Sequence, residues 1–180
     1  MTMDEKTLLE AKRFRVVEIM EQTRDNRMSP RQLIRHSGAV VIVPMVDDDY
    51  VCLIRNYRIA VDETLIELPA GTLEPNEDPR ASALRELTEE TGFKTDQIKP
   101  LNEFYLSPGI LDERMHLFVA TDLVEGQPNR EPGEHIENLI VSWSEAMKMV
   151  EERKIHDAKT LVGLLSYDQI RSRNSKPNRS

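Results

Sequence analysis

Short runs of hydrophobic residues, several rich in β-branched side chains, recur along the chain and predict strands. Residues 14–22 and 32–36 alternate weakly between apolar and polar positions and predict two N-terminal strands. Stronger runs at 38–45 and 50–57 are joined by three aspartates, which predicts a β-hairpin. Further strands are predicted at 64–68, 101–106, 115–123 and 138–143, with the loop 107–114 interrupting a second hairpin.

A helix is predicted in the middle of the chain by signals at both of its ends. Asp78 followed by Pro79 is typical of an N-cap and a first helical position. Gly92 is typical of a left-handed stop, so the helix should end at about Thr91.

The C-terminal part of the chain adds two further predicted helices. Residues 124–135 form a polar loop, and a helix over 144–153 is predicted to begin with Ser144 as its N-cap. A last helix is predicted over 157–170, and the polar, basic tail at 171–180 is predicted to be disordered. Strands and helices together indicate a mixed α+β fold.

Composition limits the class of protein. The chain has 180 residues, enough for one domain with a real core, and its 39% hydrophobic and 31% charged content is typical of soluble proteins. Its net charge of -8 disfavours non-specific binding to nucleic acid or anionic membranes. Without a signal peptide or an apolar run near the roughly 18 residues of a membrane span, a cytoplasmic location is expected. Cys52, in an apolar run, is predicted to be buried and unreactive.

The predicted helix carries two glutamates that should repel each other. Glu86 and Glu90 are one turn apart, a spacing that destabilises an isolated helix by roughly 0.2–0.5 kcal/mol, whereas Arg85 and Glu89 form a favourable pair. The residues predicted to face the core are Ala81, Ala83, Leu84, Leu87, Thr88 and Thr91.

Two interpretations of Glu86 and Glu90 are possible. In the first they belong to a solvated helix surface, as in most Glu-rich helices. In the second they hold Mg²⁺, which prefers carboxylates, carbonyls and water. The nearby Gly and Pro residues, which bring backbone carbonyls close, and the additional carboxylate of Glu77 favour the metal. A phosphate is the ligand expected with Mg²⁺.

The spacing of the stretch 71-GTLEPNEDPRASALRELTEETGF-93 resembles the Nudix hydrolase motif at every defining position. The resemblance implies an α/β/α sandwich with a mixed sheet, and hydrolysis of a nucleoside diphosphate linked to another group. It also implies Mg²⁺ or Mn²⁺ as cofactor. By position, Glu86 and Glu90 are implied to be metal ligands, together with the backbone carbonyl of Ala70. Arg85 is implied to orient Glu77 and Glu89, and Glu89 could also reach the metal through water.

Similarity extends beyond the motif to the branch of ADP-ribose and nucleoside diphosphate sugar pyrophosphatases. A proline some fifteen residues after the motif marks this branch, and Pro108 is in that position. Asn56 departs from the branch, which usually has glutamine there. The other matching segments are Gly38-Ala39-Val40, Arg55-Asn56-Tyr57-Arg58, Glu67-Leu68-Pro69-Ala70-Gly71, Ser107-Pro108-Gly109 and Asp157-Ala158-Lys159-Thr160.

The branch also implies an organisation of the chain. Residues 1–37 would be N-terminal strands that help to form a homodimer. Residues 38–170 would be the Nudix domain, followed by the tail.

Further site residues are assigned with the branch as a guide. Glu113, in the loop 107–114, is expected to be the general base, with Asp112 as the fallback. Arg58 and Arg35 are candidates for binding phosphate, because a guanidinium fork matches phosphoryl oxygens. Glu67 and Pro108 are expected to help bind the substrate.

Histidine and aromatic residues are given no catalytic role. The four histidines have no spacing that suggests a zinc site, and they are assigned no function. Trp143 is predicted to belong to the core, and stacking of Tyr57 on a nucleobase is left open.

The expected activity is therefore hydrolysis of ADP-ribose or a related nucleoside diphosphate sugar. Another nucleotide is an alternative substrate: a nucleoside triphosphate, a dinucleoside polyphosphate or an RNA 5′ end. A catalytically silent ligand sensor is a second alternative, but such a protein should have lost motif glutamates, and all of them are present.

Overall fold

The computed structural model describes residues 5–130 and 135–174. The elements in chain order are β1 (Lys6–Glu10), β2 (Phe14–Gln22), β3 (Met28–His36), β4 (Ala39–Pro44), β5 (Tyr50–Arg58), β6 (Glu63–Glu67), β7 (Ala70–Thr72), α1 (Pro79–Thr91), β8 (Ile98–Tyr105), β9 (Arg114–Ala120), β10 (Ile136–Ser142), α2 (Trp143–Glu151) and α3 (Ala158–Asn174). No helix in these two ranges is long and apolar enough to cross a membrane.

The strands form three sheets. β1, β2 and β3 make an antiparallel N-terminal sheet, as predicted in outline, although β1 itself was not predicted. A mixed sheet has the order β7-β4-β9-β8, in which only β4 and β9 run parallel. β5 lies between β10 and β6 in an antiparallel sheet.

The core has two layers because successive side chains of a strand point to opposite faces. Val41 and Val43 of β4 pack in a cluster with Leu164 of α3, and Val40 and Ile42 pack in a second cluster with residues of α1. Every residue of β4 is therefore buried. With α1 on one face and α3 on the other, the α/β/α arrangement and the α+β class are confirmed.

The predicted hairpin between the strands at 38–45 and 50–57, which correspond to β4 and β5, is wrong. The turn exists, since the N–H of Val46 donates to the carbonyl of Tyr50 at 2.8 Å. Beyond the single bridge between Met45 and Val51, however, β4 and β5 enter different sheets. Both edges of β4 are occupied by β7 and β9, which leaves no edge for β5.

Three smaller predictions also differ from the structure. Ser142, rather than Ser144, caps α2, because its hydroxyl accepts from the N–H of Glu145. In α1, Ala81 is exposed and Ser82 is buried instead. α3 extends to Asn174, so the first four residues of the predicted disordered tail are helical; the rest lie outside the described residues.

Candidate functional site

A cavity of about 1030 Å³ lies between α1, which is the helix that carries the motif (the motif helix), β7 and the N-terminal sheet. One wall carries the carboxylates of α1, and the loop before β9 adds Glu113. Cationic lining residues come from the ends of β3 and β5, the start of α3, β2 and the turn before β2, and this part of the lining, which also includes Glu10 and Asp157, is called the basic wall. Its cationic residues are Lys12, Arg13, Arg15, Arg35, Arg58 and Lys159.

Local capping explains the position of α1. The carboxylate of Asp78 accepts from the N–H groups of Arg80 and Ala81, both at 3.1 Å, and Pro79 occupies the first turn. Gly92 ends the helix with a φ of 83°, a left-handed conformation that glycine adopts without strain. The predicted bounds of this helix are confirmed.

Glu86 and Glu90 meet the same short piece of main chain. The carboxylate of Glu86 packs against the Cα of Gly71, in space that any side chain at position 71 would fill. Glu90, only 4% exposed, accepts from the N–H of Ala70 at 3.0 Å through its Oε2. The two carboxylates therefore converge on Ala70 and Gly71 in β7, a strand that was not predicted.

Arg85 donates hydrogen bonds to three of the motif carboxylates. Its guanidinium donates to both carboxylate oxygens of Glu77, each at 2.9 Å, and its Nη1 donates to Glu86 at 2.7 Å and to Glu89 at 2.9 Å. Hydrogen bonds from Arg85 lower the pKa of Glu77 to about 2, and the same partners raise the pKa of Arg85. Arg85 thus offsets part of the repulsion expected between Glu86 and Glu90.

Asp112 and Glu113 are adjacent in the loop before β9, but their side chains have different contacts. Asp112 accepts from the N–H of His36 at 2.8 Å and from Nη1 of Arg35 at 3.0 Å, so it fastens the loop to β3. Glu113 lines the cavity, with its Oε1 3.6 Å from Nδ1 of His36. Nδ1 already accepts from the N–H of Gly38 at 3.1 Å, so this contact is not a hydrogen bond.

The basic wall is organised by Glu67, which is 1% exposed and lies beneath the cavity surface. Its carboxylate accepts two hydrogen bonds from Arg58, at 2.7 and 2.6 Å, and one from Lys159 at 2.6 Å. Burial opposes the charge of Glu67, but the hydrogen bonds and the two cations outweigh burial and lower its pKa. Lys159 also donates to Asp157 at 2.9 Å.

Pro108, Trp143 and Tyr57 differ in their position relative to the cavity. Pro108 is exposed in the loop before β9 and is not part of the cavity wall, to which the neighbouring Leu106 contributes. Trp143 is buried beside Tyr167, as predicted for a core residue. Tyr57 lines the cavity and donates to Asp62 at 2.6 Å.

Comparison with known proteins agrees with this geometry, because residues 35–162 match the NUDIX domain family. The chain belongs to the Nudix family. The match includes the motif helix, β7, Glu113 and the start of α3.

Three curated relatives resemble this Nudix protein over most of its length. ADP-ribose pyrophosphatase of Bacillus subtilis is 36% identical over 82% of the chain and 80% of the relative. Methanol dehydrogenase activator of Bacillus methanolicus is 35% identical over 78% of the chain and 77% of the relative. GDP-mannose pyrophosphatase of Escherichia coli is 34% identical over 76% of the chain and 75% of the relative.

A solved structure supports the Nudix fold. The crystal structure of an ADP compounds hydrolase superposes with a TM-score of 0.83 over 97% of this chain and 95% of the other, at 21% sequence identity.

Nudix hydrolases generally use divalent metal ions, and the convergence of Glu86 and Glu90 on Ala70 and Gly71 fits such an ion. Residues 5–130 and 135–174 contain no group of three His, Cys, Asp or Glu side chains that could hold a metal.

Some residues of the cavity carried no recognised signal in the sequence. His36 was assigned no function. Lys12, Arg13 and Arg15 lie just before or at the start of the strand predicted at 14–22, and that prediction gave them no role in a site. Lys159 stood in a matching segment without an assigned role. Only the folded chain brings these residues to the motif helix.

Proposed function

We propose that the protein hydrolyses the diphosphate linkage of ADP-ribose or a related nucleoside diphosphate sugar, giving a nucleoside monophosphate and a sugar phosphate. The observation that carries the proposal is the convergence of Glu86 and Glu90 on Ala70 and Gly71 in a cavity that is also lined by several cationic side chains. The relatives named as ADP-ribose and GDP-mannose pyrophosphatases support this substrate class.

The proposed cofactor is Mg²⁺ or Mn²⁺, held by Glu86, Glu90 and the backbone carbonyl of Ala70. When bound, such an ion supplies charge neutralisation for the diphosphate and a lowered pKa for the attacking water. Glu89 and Arg85 have supporting roles. Arg85 fixes the carboxylates of Glu77, Glu86 and Glu89, and Glu89 could orient a water molecule beside the site.

Glu113 is proposed to accept the proton of the attacking water. Its carboxylate lines the cavity, whereas the carboxylate of Asp112 holds β3. A general base must reach the proton that it abstracts, and only Glu113 of this pair is on the cavity wall.

Substrate binding is assigned to the basic wall. Arg58 and Arg35 line the cavity and are proposed to face the diphosphate or the sugar phosphate. Glu67 would act from beneath, by orienting Arg58 and Lys159. Pro108 would shape the loop that carries Glu113 rather than contact the substrate.

The N-terminal segment at 1–37 is proposed to form a homodimer, with 38–170 as the Nudix domain. Exposed apolar side chains of the N-terminal sheet support this assignment: Leu8, Leu9, Phe14, Met20 and Met28. The proposed location remains the cytoplasm.

A second candidate function is activation of a methanol dehydrogenase. It is favoured by the relative named as such an activator, which is nearly as similar to the chain as the ADP-ribose pyrophosphatase. Hydrolysis could serve that activation, so the two candidates share the same site.

The purified protein should be incubated with ADP-ribose, GDP-mannose, ATP and a capped RNA, with Mg²⁺ or Mn²⁺ and with chelator. We expect a nucleoside monophosphate from the first two substrates, only when metal is present. Preferential hydrolysis of ATP or RNA would overturn the proposed substrate class. A methanol dehydrogenase assay with and without the protein would test the second candidate.

A further inference from the structure

The last turn of α1 is held by groups from outside the helix. The carbonyl of Glu89 accepts from the N–H of Asn129 at 2.9 Å, and that of Glu90 accepts from Nε of Arg130 at 3.0 Å. The carbonyl of Thr91 accepts from Nδ2 of Asn138 at 2.8 Å. Three successive carbonyls that have no partner within an α-helix are therefore satisfied.

Arg130 and Asn138 form one unit. Nη2 of Arg130 donates to Oδ1 of Asn138 at 2.9 Å, so the two side chains that hold the helix end also hold each other. The segment before Arg130 lies close to the helix end, since a Cβ on Gly92 would be only 2.7 Å from the carbonyl oxygen of Gly126.

The last turn of α1 has no hydrogen-bond donor of its own for these carbonyls and an unfavourable charge distribution. The C-terminal end of a helix carries partial negative charge, which favours cations and disfavours carboxylates. α1 has no basic residue in its last turn, while Glu89 and Glu90 are both there. The donor for the carbonyl of Glu90 therefore comes from another part of the chain, from Nε of Arg130.

We propose that Arg130 is a positioning residue for Glu90, acting through the carbonyl of Glu90. The inference rests on the proposed function, in which Glu90 is a metal ligand. The Glu90 side chain is held at Oε2 by the N–H of Ala70, and its main chain is held by Nε of Arg130. Helix ends fray when their carbonyls lack partners, and fraying here would move the carboxylate away from β7.

Three substitutions separate the hydrogen bond from the charge. Arg130→Met keeps the side-chain stem but has no donor. Arg130→Gln places an amide nitrogen at the position of Nε and removes the charge. Arg130→Lys keeps the charge but has carbon at the position of Nε.

The measurement is the thermal unfolding temperature of each full-length variant as a function of MgCl₂ concentration, without substrate, because a ligand that binds the folded state raises this temperature. We expect Arg130→Met and Arg130→Lys to need roughly 10-fold more Mg²⁺ than wild type for the same rise, and Arg130→Gln to stay within about threefold. Arg80→Met is the matched control. Arg80 also donates to a backbone carbonyl, that of Asp96 at 2.8 Å, but from the opposite end of α1.

An unchanged Mg²⁺ dependence in Arg130→Met would overturn the proposal. So would a wild-type response in Arg130→Lys combined with a loss in Arg130→Gln, because charge would then be the cause. An equal loss in Arg80→Met would show general destabilisation and would also overturn it. If wild type itself does not respond to Mg²⁺, the proposed metal site fails, and the positioning role fails with it.

Discussion

The carboxylate of Glu86 packs directly against the Cα of Gly71, so that a Cβ at position 71 would overlap its Cδ and both oxygens. Gly71→Ala must therefore displace Glu86. We expect hydrolysis to fall by roughly 10²-fold, the scale of a displaced site group, with little change in thermal unfolding. Gly109→Ala is the control, since a Cβ there meets no atom within 4 Å. Normal kinetics in Gly71→Ala would mean that the position of Glu86 is unimportant.

Glu90→Gln should abolish most activity and leave the fold intact. The amide oxygen can still accept from the N–H of Ala70, and one member of a repelling pair is removed. Glu86→Gln should behave alike, and the double variant should lose little beyond either single variant, because residues that act as a unit are non-additive. Steady-state kinetics at several Mg²⁺ concentrations test this. Additive losses would indicate separate roles.

Glu113→Gln should lower kcat by roughly 10²–10⁴, the usual contribution of a general base, with a smaller change in KM. Asp112→Asn is the neighbouring control and should mainly reduce stability, since Asp112 holds Arg35 and His36. Kinetics across pH and thermal unfolding separate the two effects. If Asp112→Asn is the inactive variant, the base has been assigned to the wrong carboxylate.

Acid should destabilise the protein partly through Glu77. Its pKa is lowered by Arg85 from 4.5 to about 2. A carboxylate with a depressed pKa stabilises the fold above its unfolded-state pKa, and the contribution is lost as pH falls through the folded-state value. Between about pH 4.5 and pH 2, the unfolding temperature of wild type should therefore fall more steeply than that of Glu77→Gln. The exposed Glu74, replaced by Gln, is the control; equal slopes for wild type and Glu77→Gln would contradict the prediction.

Glu67→Gln should reduce the free energy of unfolding by roughly 1–3 kcal/mol, the usual cost of removing one partner of a buried hydrogen-bonded group. The substitution removes the charge that both Arg58 and Lys159 contact. Lys159→Met should cost less, because Glu67 would keep both hydrogen bonds from Arg58. Urea unfolding measures both, with Tyr57→Phe as an exposed control. A larger loss in Lys159→Met would reverse this ranking.

The motif helix could be predicted closely because its signals are local. Asp78, Pro79 and Gly92 act within one turn of their own positions, and the predicted helix ends agree with the structure. Helical periodicity alone places Glu86 and Glu90 on the same face of the helix. The contacts of Arg85 with Glu77 and Glu89 could likewise be expected, although from resemblance to a family.

Strand pairing could not be predicted in the same way. The apolar runs of β4 and β5 looked like one hairpin, but the edges of β4 are occupied by β7 and β9, which are distant in sequence from one another. β7 has only three residues and carried no strand signal, yet it supplies the main chain on which Glu86 and Glu90 converge.

By itself the sequence determined the α+β class, the motif helix and the group of carboxylates on it, because capping and periodicity operate over a few residues. Tertiary structure alone decided that Asp112 fastens β3 while Glu113 lines the cavity, and that Arg130 holds the end of α1. These relationships join residues far apart in the chain. They depend on how sheets and helices pack, which no local pattern specifies.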